Sequence, residues 1–418
     1  MRKNLLFFKY DKATKYSLAA LLGCIEEHSI LSDFDIKIGN LEEILQIRPE
    51  KFEKVIIAYS FLSTQVKKIQ IEIKRIRDIF DDRVIIIGGG PHATAKPEST
   101  IQFGFDFLVI GEGEEIFPII LEKIIKNDKF DDLDGICFYK NSEIICKKQL
   151  KFVDLDKYPA FSVKFRVFSP IEISRGCGAG RCAYCLVPKM YGNKMRHRSI
   201  ESIIRLIRNA VKKGFDKVWF NSPNSFAYKS EDGITPNVHE IEKLLKNIKN
   251  INGIKKIFYG TFPGEVRPDS VNEDVLNTII PYISNNSCIV GGQSGSDRIL
   301  KILRRGHTVV DIENAVDIFL KYEITPKVDM IFGFYFERPE DEELTIQFMR
   351  RIIKKGAIIH AHTFMPLPGT PLEKAPPGKL TETYKRFLGE WSKKGKIYGS
   401  WGYQEKLASE LTELINRN

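Results

Sequence analysis

Four runs near the start of the chain are apolar at almost every position: Leu5 to Phe8, Lys54 to Ser60, Arg83 to Gly88, and Phe107 to Ile110. Such a strand offers neither face to water. It has to be covered on both sides, and that is the condition of a parallel sheet flanked by helices. Helical segments do separate the runs. Tyr16 to Glu27 is one, and Thr64 to Phe80 is another, with Val66, Ile69, Ile73 and Ile76 on one side. The alternation specifies a doubly wound, Rossmann-like α/β sheet over residues 1–146. Ligands of such sheets bind outside the carboxyl ends of the strands. Two glycine loops stand there: Gly88-Gly89-Gly90-Pro91-His92-Ala93-Thr94-Ala95 and Gly111-Glu112-Gly113-Glu114-Glu115. A polar hairpin, roughly Gly135 to Lys148, leads into a linker over residues 147–170 that contains Asp154-Leu155-Asp156-Lys157-Tyr158-Pro159-Ala160.

From Ile171 to about Leu372 the strand–helix pattern repeats. Strands are expected at Pro170–Ser174, Lys217–Phe220, Ile257–Gly260, Cys288–Gly292, Pro326–Gly333 and Ile358–Phe364. Ser199 to Lys213 is helical, with Ile203, Leu206 and Ile207 apolar. About six such units suit a partial TIM-type barrel over residues 171–375, with its site at the strand C-termini. A helical tail, 376–418, has segments around Trp391 and Leu411. Between them, Tyr398-Gly399-Ser400-Trp401-Gly402-Tyr403 is expected as an aromatic, glycine-rich turn.

The chemistry concentrates in Ile173-Ser174-Arg175-Gly176-Cys177-Gly178-Ala179-Gly180-Arg181-Cys182-Ala183-Tyr184-Cys185. Three of the seven cysteines fall here, spaced Cys-x4-Cys-x2-Cys in a glycine-rich loop fed by a strand. Thiolates so grouped hold a soft metal centre. A structural zinc site is closed by four ligands, and no further cysteine or histidine follows until His197. Three thiolates leave one position open, which points to a 4Fe–4S cluster with one iron free for a small molecule. A zinc loop completed from elsewhere and a set of buried apolar thiols are the other readings.

Composition narrows the class. With 43% apolar and 28% charged residues, the chain is that of an ordinary soluble globular protein. Lys and Glu interrupt every apolar run before it reaches membrane-spanning length. The start, Met1-Arg2-Lys3-Asn4-Leu5-Leu6-Phe7-Phe8, imitates a signal peptide. Lys9, Asp11, Lys12 and Lys15 cut its apolar core short, so a first buried strand is expected. Cys24, Cys137, Cys146 and Cys288 are scattered and show no disulfide framework. Together with an oxygen-sensitive cluster, that predicts a reducing, cytoplasmic setting. The net charge is +10, but the lysines are spread along the chain, so a nucleic-acid partner is not indicated. The densest basic stretch, Lys189 to Arg198, is expected as a solvated face, with a substrate-facing loop as the alternative.

The cysteine loop resembles that of the radical S-adenosylmethionine (SAM) superfamily, which places an aromatic residue, here Tyr184, before the third cysteine. The family's usual first gap is one residue shorter. The resemblance implies that Cys177, Cys182 and Cys185 hold the cluster and that its open iron binds SAM. Gly291-Gly292-Gln293-Ser294-Gly295-Ser296-Asp297-Arg298-Ile299-Leu300 looks like the strand that contacts the SAM ribose, with Gln293 at the contact position. Asp329 to Phe334 and Pro366-Leu367-Pro368-Gly369-Thr370-Pro371 match the late barrel strands, with Asp329 a cofactor-binding candidate. Relatives place a Gly-Gly-Glu motif for the SAM amino group where this chain has Asn221 to Ser225. That motif is lacking here, and Ser222 and Asn224 are the candidates.

The first domain resembles the cobalamin (B12)-binding domain found ahead of radical SAM domains. The likeness runs through Gly89-Gly90-Pro91-His92, Pro97-Glu98, Gly104-Phe105-Asp106 and Gly111-Glu112-Gly113-Glu114-Glu115. It implies that the nucleotide tail of cobalamin lies against the Gly88–Thr94 and Gly111–Glu114 loops. Many cobalamin proteins ligate cobalt with a histidine after the first strand. Lys9-Tyr10-Asp11-Lys12-Ala13-Thr14 has none, and His92 is expected as a hydrogen-bonded turn histidine rather than a cobalt ligand. The combined resemblance implies an enzyme that transfers a methyl group to an unactivated carbon of an unknown substrate, fed by an electron donor such as ferredoxin or flavodoxin.

A methylthiotransferase acting on tRNA or protein is the rival reading. Ile173–Cys177, Cys185-Leu186-Val187-Pro188, Gln293–Ser296 and Pro368–Pro371 resemble that group. Its members hold a second cluster through three N-terminal cysteines, whereas only Cys24, Cys137 and Cys146 are present here, badly spaced. The basic RNA-binding β-domain expected at the C-terminus of that group is also missing. A non-catalytic corrinoid or metal-binding module with a structural zinc is the third reading.

Overall fold

The computed structural model describes residues 2–417, with side chains through Glu413. It divides into two compact units, residues 1–169 with 189–191, and residues 170–188 with 192–418. No helix among the described residues is long and apolar enough to cross a membrane.

The first unit is a seven-stranded sheet. Its strands are β1 (Asn4–Lys9), β2 (Phe34–Gly39), β3 (Val55–Ser60), β4 (Ile85–Gly89), β5 (Phe107–Val109), β6 (Ile136–Lys140) and β7 (Glu143–Lys147), in spatial order β2-β1-β3-β4-β5-β6-β7. The first five are parallel, with Leu5 opposite Val55 and Ile57 opposite Ile86. This is the doubly wound order with a switch point between β1 and β3. The apolar runs form its centre: Leu5, Leu6, Ile56, Ile57, Ile86 and Leu108 are all fully buried. The helix Val66–Phe80 buries Val66, Ile69, Ile73 and Ile76. Strand β2 escaped the reading of apolar runs because it lies at the sheet edge. Asp35, Ile36, Lys37 and Ile38 there stay partly or fully exposed.

The hairpin β6–β7 extends the sheet antiparallel to β5. Its two-residue turn, Asn141-Ser142, has φ of 49° and 69°. Two left-handed residues in a row make the type I′ turn that tight hairpins favour. That register sets Cys137 directly opposite Cys146, and the two are disulfide-bonded. The expectation of scattered, unpaired cysteines fails at this pair, because nine residues of sequence fold back across a two-residue turn.

The second unit carries β8 (Ile171–Glu172), β9 (Ser174–Arg175), β10 (Arg196–His197), β11 (Lys217–Asn221), β12 (Lys256–Phe258), β13 (Ser287–Gln293), β14 (Thr325–Phe332), β15 (Ile358–Thr363) and β16 (Ile397–Tyr398). One parallel sheet runs β8-β11-β12, and the other β13-β14-β15-β16. A parallel bridge from Val266 to Val290 links them. The result is a partial barrel of six strands with β16 added at its edge. Tyr398, expected in a turn, belongs to that last short strand, and the helix Trp401–Arg417 follows. The basic run after the cysteines is not a uniformly solvated face. Arg196 and His197 form β10, and Arg198 is buried, donating to the Glu172 carbonyl at 3.2 Å and to Ser202 Oγ at 3.3 Å.

His92 gives the first unit a pH dependence. It is 2% exposed, its Nδ1 lies 3.0 Å from Ser63 Oγ, and its ring sits near those of Phe61 and Phe103. Burial, and then the charge of Lys96, lowers its pKa from 6.5 to about 4. The unfolded chain therefore takes up this proton first as the pH falls, and stability present above pH 6.5 is lost as the pH drops through about 4. His92→Gln should flatten acid unfolding over that window by ~3 kcal/mol in denaturant titrations. An acid limb identical to the parent's would contradict the assignment.

Candidate functional site

The cysteine loop is shaped by close backbone approach. A Cβ on Gly178 would collide with the Asp232 carbonyl oxygen, so this position accepts only glycine. Gly180 N–H donates to the Cys177 carbonyl at 3.0 Å, Cys185 N–H to that of Cys182 at 3.2 Å, and Ala183 N–H to that of Leu303 at 3.0 Å. The longer first gap is thus absorbed in a compact, hydrogen-bonded loop.

Cys177, Cys182 and Cys185 line a cavity of about 300 Å³ within the second unit. Tyr184, Gln293 and Asp329 line it too, so the structure gathers six of the residues singled out from sequence. Ser222 and Asn224 do not line it, although Pro223 between them does. The Asn224 side chain is wholly buried. Its Nδ2 donates to Ser270 Oγ at 2.8 Å and to the Gly233 carbonyl at 3.3 Å, and its Oδ1 accepts from Arg267 N–H at 3.3 Å.

Gln293 ends β13 with φ of 78° and is 6% exposed. The register of β13 against β14 slips between Val290 and Gln293. A non-glycine residue in the left-handed region costs about 1–3 kcal/mol, and such strain concentrates where a side chain must be aimed. Here it accompanies a side chain that lines the cavity.

Burial raises the Cys177 thiol above its ordinary value and pushes Cys185 up to about 12. Thiolates at these depths need positive charge beside them. Arg305 supplies part of it. Its Nη1 lies 3.3 Å from Cys182 Sγ and donates to Tyr184 Oη at 3.1 Å, and its Nη2 donates to the Gly291 carbonyl at 2.7 Å. Nε donates to His307 Nε2 at 3.1 Å. Burial, then Arg305 and Arg267, lowers the His307 pKa to about 2, so the ring is neutral and free to accept. Glu265, also in the cavity wall, is raised to about 7 by burial and by Asp329, against Arg305 and Arg267.

The donor set suits a cluster better than one zinc ion. Among the described residues, the only three ligand atoms within 4.8 Å of one another belong to Asp329, His360 and His362. The three cysteine sulfurs form no such set, as is required when each binds a different iron. His197, the nearest sequence candidate for a fourth ligand, does not line the cavity; its Nδ1 lies 2.9 Å from Ser174 Oγ and accepts from Lys229 N–H at 3.2 Å.

Arg305, Glu265, His362 and Gln404 also line the cavity and were missed in the sequence. For His362 a signal existed: His360 and His362 are two apart on a strand and therefore share a face. Arg305 and Glu265 sit in irregular connecting segments whose charges look solvated when read in one dimension.

In the first unit the two glycine loops meet at the carboxyl ends of β4 and β5. Gly111 N–H donates to Thr94 Oγ1 at 2.9 Å. Gly90 takes φ of 93°, and a Cβ there would press on Ser60 Oγ. That hydroxyl, at the end of β3, is buried without a hydrogen-bond partner among the described residues. An orphaned hydroxyl beside a bare glycine backbone suits the polar tail of a bound nucleotide. Pro91 opens the short helix Pro91–Ala95, and Gly113 opens the helix Gly113–Lys126. Glu112 is buried, accepting from Val153 N–H at 2.6 Å, while its own N–H donates to Gln149 Oε1 at 2.8 Å. The His92 ring points to Ser63. In the loop after β1, Asp11 accepts from Ala13 N–H and pairs with Lys9 and Lys68.

The B12 binding domain model matches residues 12–121, and the radical SAM superfamily model matches residues 171–349. The chain carries a B12-binding domain followed by a radical SAM domain. A radical SAM domain uses a 4Fe–4S cluster and SAM, and a B12-binding domain uses cobalamin. The fold agrees with the radical SAM methyltransferase TsrM of Kitasatospora setae, solved with cobalamin and a [4Fe-4S] cluster: TM-score 0.69, 15% identity, covering 90% of this chain and 74% of that one. It agrees also with the cobalamin-dependent radical enzyme OxsB, solved with aqua-cobalamin and SAM: TM-score 0.66, 16% identity, covering 94% and 56%. Curated relatives include a tRNA-2-methylthio-N(6)-dimethylallyladenosine synthase of Sulfurihydrogenibium sp. (strain YO3AOP1), 27% identical over 271 residues, 63% of this chain and 59% of the relative. An uncharacterised protein of Methanopyrus kandleri is 22% identical over 355 residues, 73% of this chain and 65% of its own length. The chain therefore spans roughly three-fifths of these two relatives.

Arg305 gives a test of the cavity's electrostatics. Loss of a charged donor to Cys182 destabilises the reduced, more negative state. Arg305→Leu is expected to keep its iron but to lower the cluster's reduction potential by on the order of 60 mV, a tenfold change for one electron. An unchanged potential in an iron-replete variant would show that Arg305 does not act on the cluster.

Proposed function

We propose that this chain is a cobalamin-dependent radical SAM methyltransferase that modifies an unactivated carbon. The observation that carries the reading is the presence, in one chain, of a three-thiol loop in a barrel cavity and a B12-type sheet whose β1 loop offers no histidine to cobalt. When bound, the cluster supplies an electron to SAM and cobalamin supplies a methyl carrier. The chain's own residues hold and orient. Cys177, Cys182 and Cys185 would anchor the cluster, Arg305 steadies Cys182 and Tyr184, and Gln293 would help hold SAM, with Asp329 beside it in the cavity wall. The loops Gly89–His92 and Gly111–Gly113 would receive the cobalamin tail, and Thr94 ties one to the other. TsrM is described as a methyltransferase with cobalamin and a cluster bound, which supports the reading. A low-potential one-electron donor, such as ferredoxin or flavodoxin, is the partner this chemistry needs.

The methylthiotransferase reading has curated relatives in its favour. It needs three free thiols in the first unit for a second cluster. Cys137 and Cys146 are bonded to each other, and Cys24 is buried in the helix Lys15–Glu27.

Anaerobic protein supplied with SAM, cobalamin, reductant and cell extract tests the proposal. Labelled methyl from SAM should enter product, with 5′-deoxyadenosine and S-adenosylhomocysteine formed in near-equal amounts. Product accumulating over many turnovers with deoxyadenosine but no S-adenosylhomocysteine would rule out methyl transfer.

A further inference from the structure

We propose that Asp329, His360 and His362 bind one divalent transition-metal ion, of the zinc or ferrous kind, in the wall of the barrel cavity. The site uses none of the three cysteines, although Asp329 and His362 line the same cavity, and it stands on different observations.

Strands β14 and β15 are parallel neighbours, and their register sets Asp329 directly beside His360. His362 follows two residues later on the same face. Met330, Ala361 and Thr363, which alternate with these residues, are buried on the opposite face, while Asp329, His360 and His362 are each only partly covered. Asp329 and His362 line the cavity. One ligand atom from each of the three lies within 4.8 Å of the other two.

Their contacts do not resolve as ordinary hydrogen bonds. His360 Nδ1 is 2.9 Å from Asp329 Oδ1 and 3.1 Å from His362 Nε2. A neutral imidazole nitrogen carries either one proton or one lone pair. If His360 Nδ1 is protonated, one proton has to serve both a carboxylate and a second ring. If it is not, its lone pair faces the carboxylate oxygen directly. Three electron-pair donors thus converge on one gap. A divalent ion satisfies all three, and two imidazoles with one carboxylate are the donors that zinc and non-haem iron(II) take.

The surroundings hold the rings from behind, as ligating histidines require. His360 stacks on Tyr398 at 4.4 Å with 6° between the planes. The Gln404 amide lies 3.2 Å from His362 Nδ1, while its Oε1 accepts from Thr363 N–H at 2.9 Å. With an ion on Nε2, the His362 proton would sit on Nδ1 and face the Gln404 amide nitrogen, so ion binding requires that amide to turn and give up its bond to Thr363 N–H. Three protein ligands leave coordination positions open toward the cavity. One carboxylate against a divalent ion leaves net positive charge, so the open position takes water or an anionic oxygen of the substrate.

The test uses Co²⁺ as a spectroscopic probe and Zn²⁺ as its competitor, on the full chain with its cluster and on a variant with Cys177, Cys182 and Cys185 all changed to Ala. Both should bind one Co²⁺ per chain with ligand-field absorption, displaced by one Zn²⁺. His360→Gln and His362→Gln should each weaken binding about 100-fold or more, with thermal melts reporting that the variants fold. His239→Ala should bind as the parent does. Absence of cobalt absorption in the parent, or binding unchanged in the folded His360→Gln/His362→Gln double variant, would overturn the site. Because the Cys-to-Ala chain carries no cluster, the outcome is independent of whether the protein transfers methyl groups.

Discussion

Burying thiols where they must work as thiolates is the constraint on which the second unit depends. Burial raises the Cys177 thiol and pushes Cys185 up to about 12, so the loop needs cationic company. A bound cluster's iron would supply most of it, and Arg305 adds a fixed charge beside Cys182. Arg305 in turn needs acceptors it can keep at depth. The Gly291 carbonyl, Tyr184 Oη and a neutral His307 fill that role. The cavity wall is one hydrogen-bonded arrangement reaching from the cysteine loop to the end of β13, where Gln293 leaves the ordinary backbone region. Removing one member leaves a buried charge or acceptor unpaired, which is the costly case.

The first unit solves a different problem. Its glycine loops, if they are to bring bare backbone to a cofactor, have to do so without collapsing into the space it needs. Thr94 fixes one loop to the other, and Gln149 and Val153 hold the Glu112 backbone and carboxylate from the linker side. The loops are thereby shaped by the chain itself. Among the described residues, Ser60 Oγ is left over, buried and without a hydrogen-bond partner, at the strand end where ligands of doubly wound sheets bind.

What could be read from the sequence followed physical contrast. Strands buried on both faces, such as Val55–Ser60, announce themselves as unbroken apolar runs, and the helix Val66–Phe80 does so by its apolar stripe. The edge strand Phe34–Gly39 and the two-residue strand Ile397–Tyr398 carry no such contrast, being half-solvated or too short. The cysteine loop was legible because three soft ligands in nine residues have few other uses. Arg305, Glu265 and the disulfide partners were not. Their environments are made by pairings across the fold: Arg305 meets Cys182 over 123 residues, and Cys137 meets Cys146 only through the turn at Asn141-Ser142. Ser222 and Asn224, placed by analogy of position, are buried and do not line the cavity, which only Pro223 of that trio reaches.

The central claim is that three thiolates hold a 4Fe–4S cluster with one iron left for SAM. Mössbauer spectroscopy of protein reconstituted with isotopically enriched iron, recorded before and after SAM, tests it most directly. The account predicts a cluster in which one iron alone changes its isomer shift when SAM is added, since that iron has no thiolate. Four irons indifferent to SAM, or a single zinc in the place of the cluster, would contradict it.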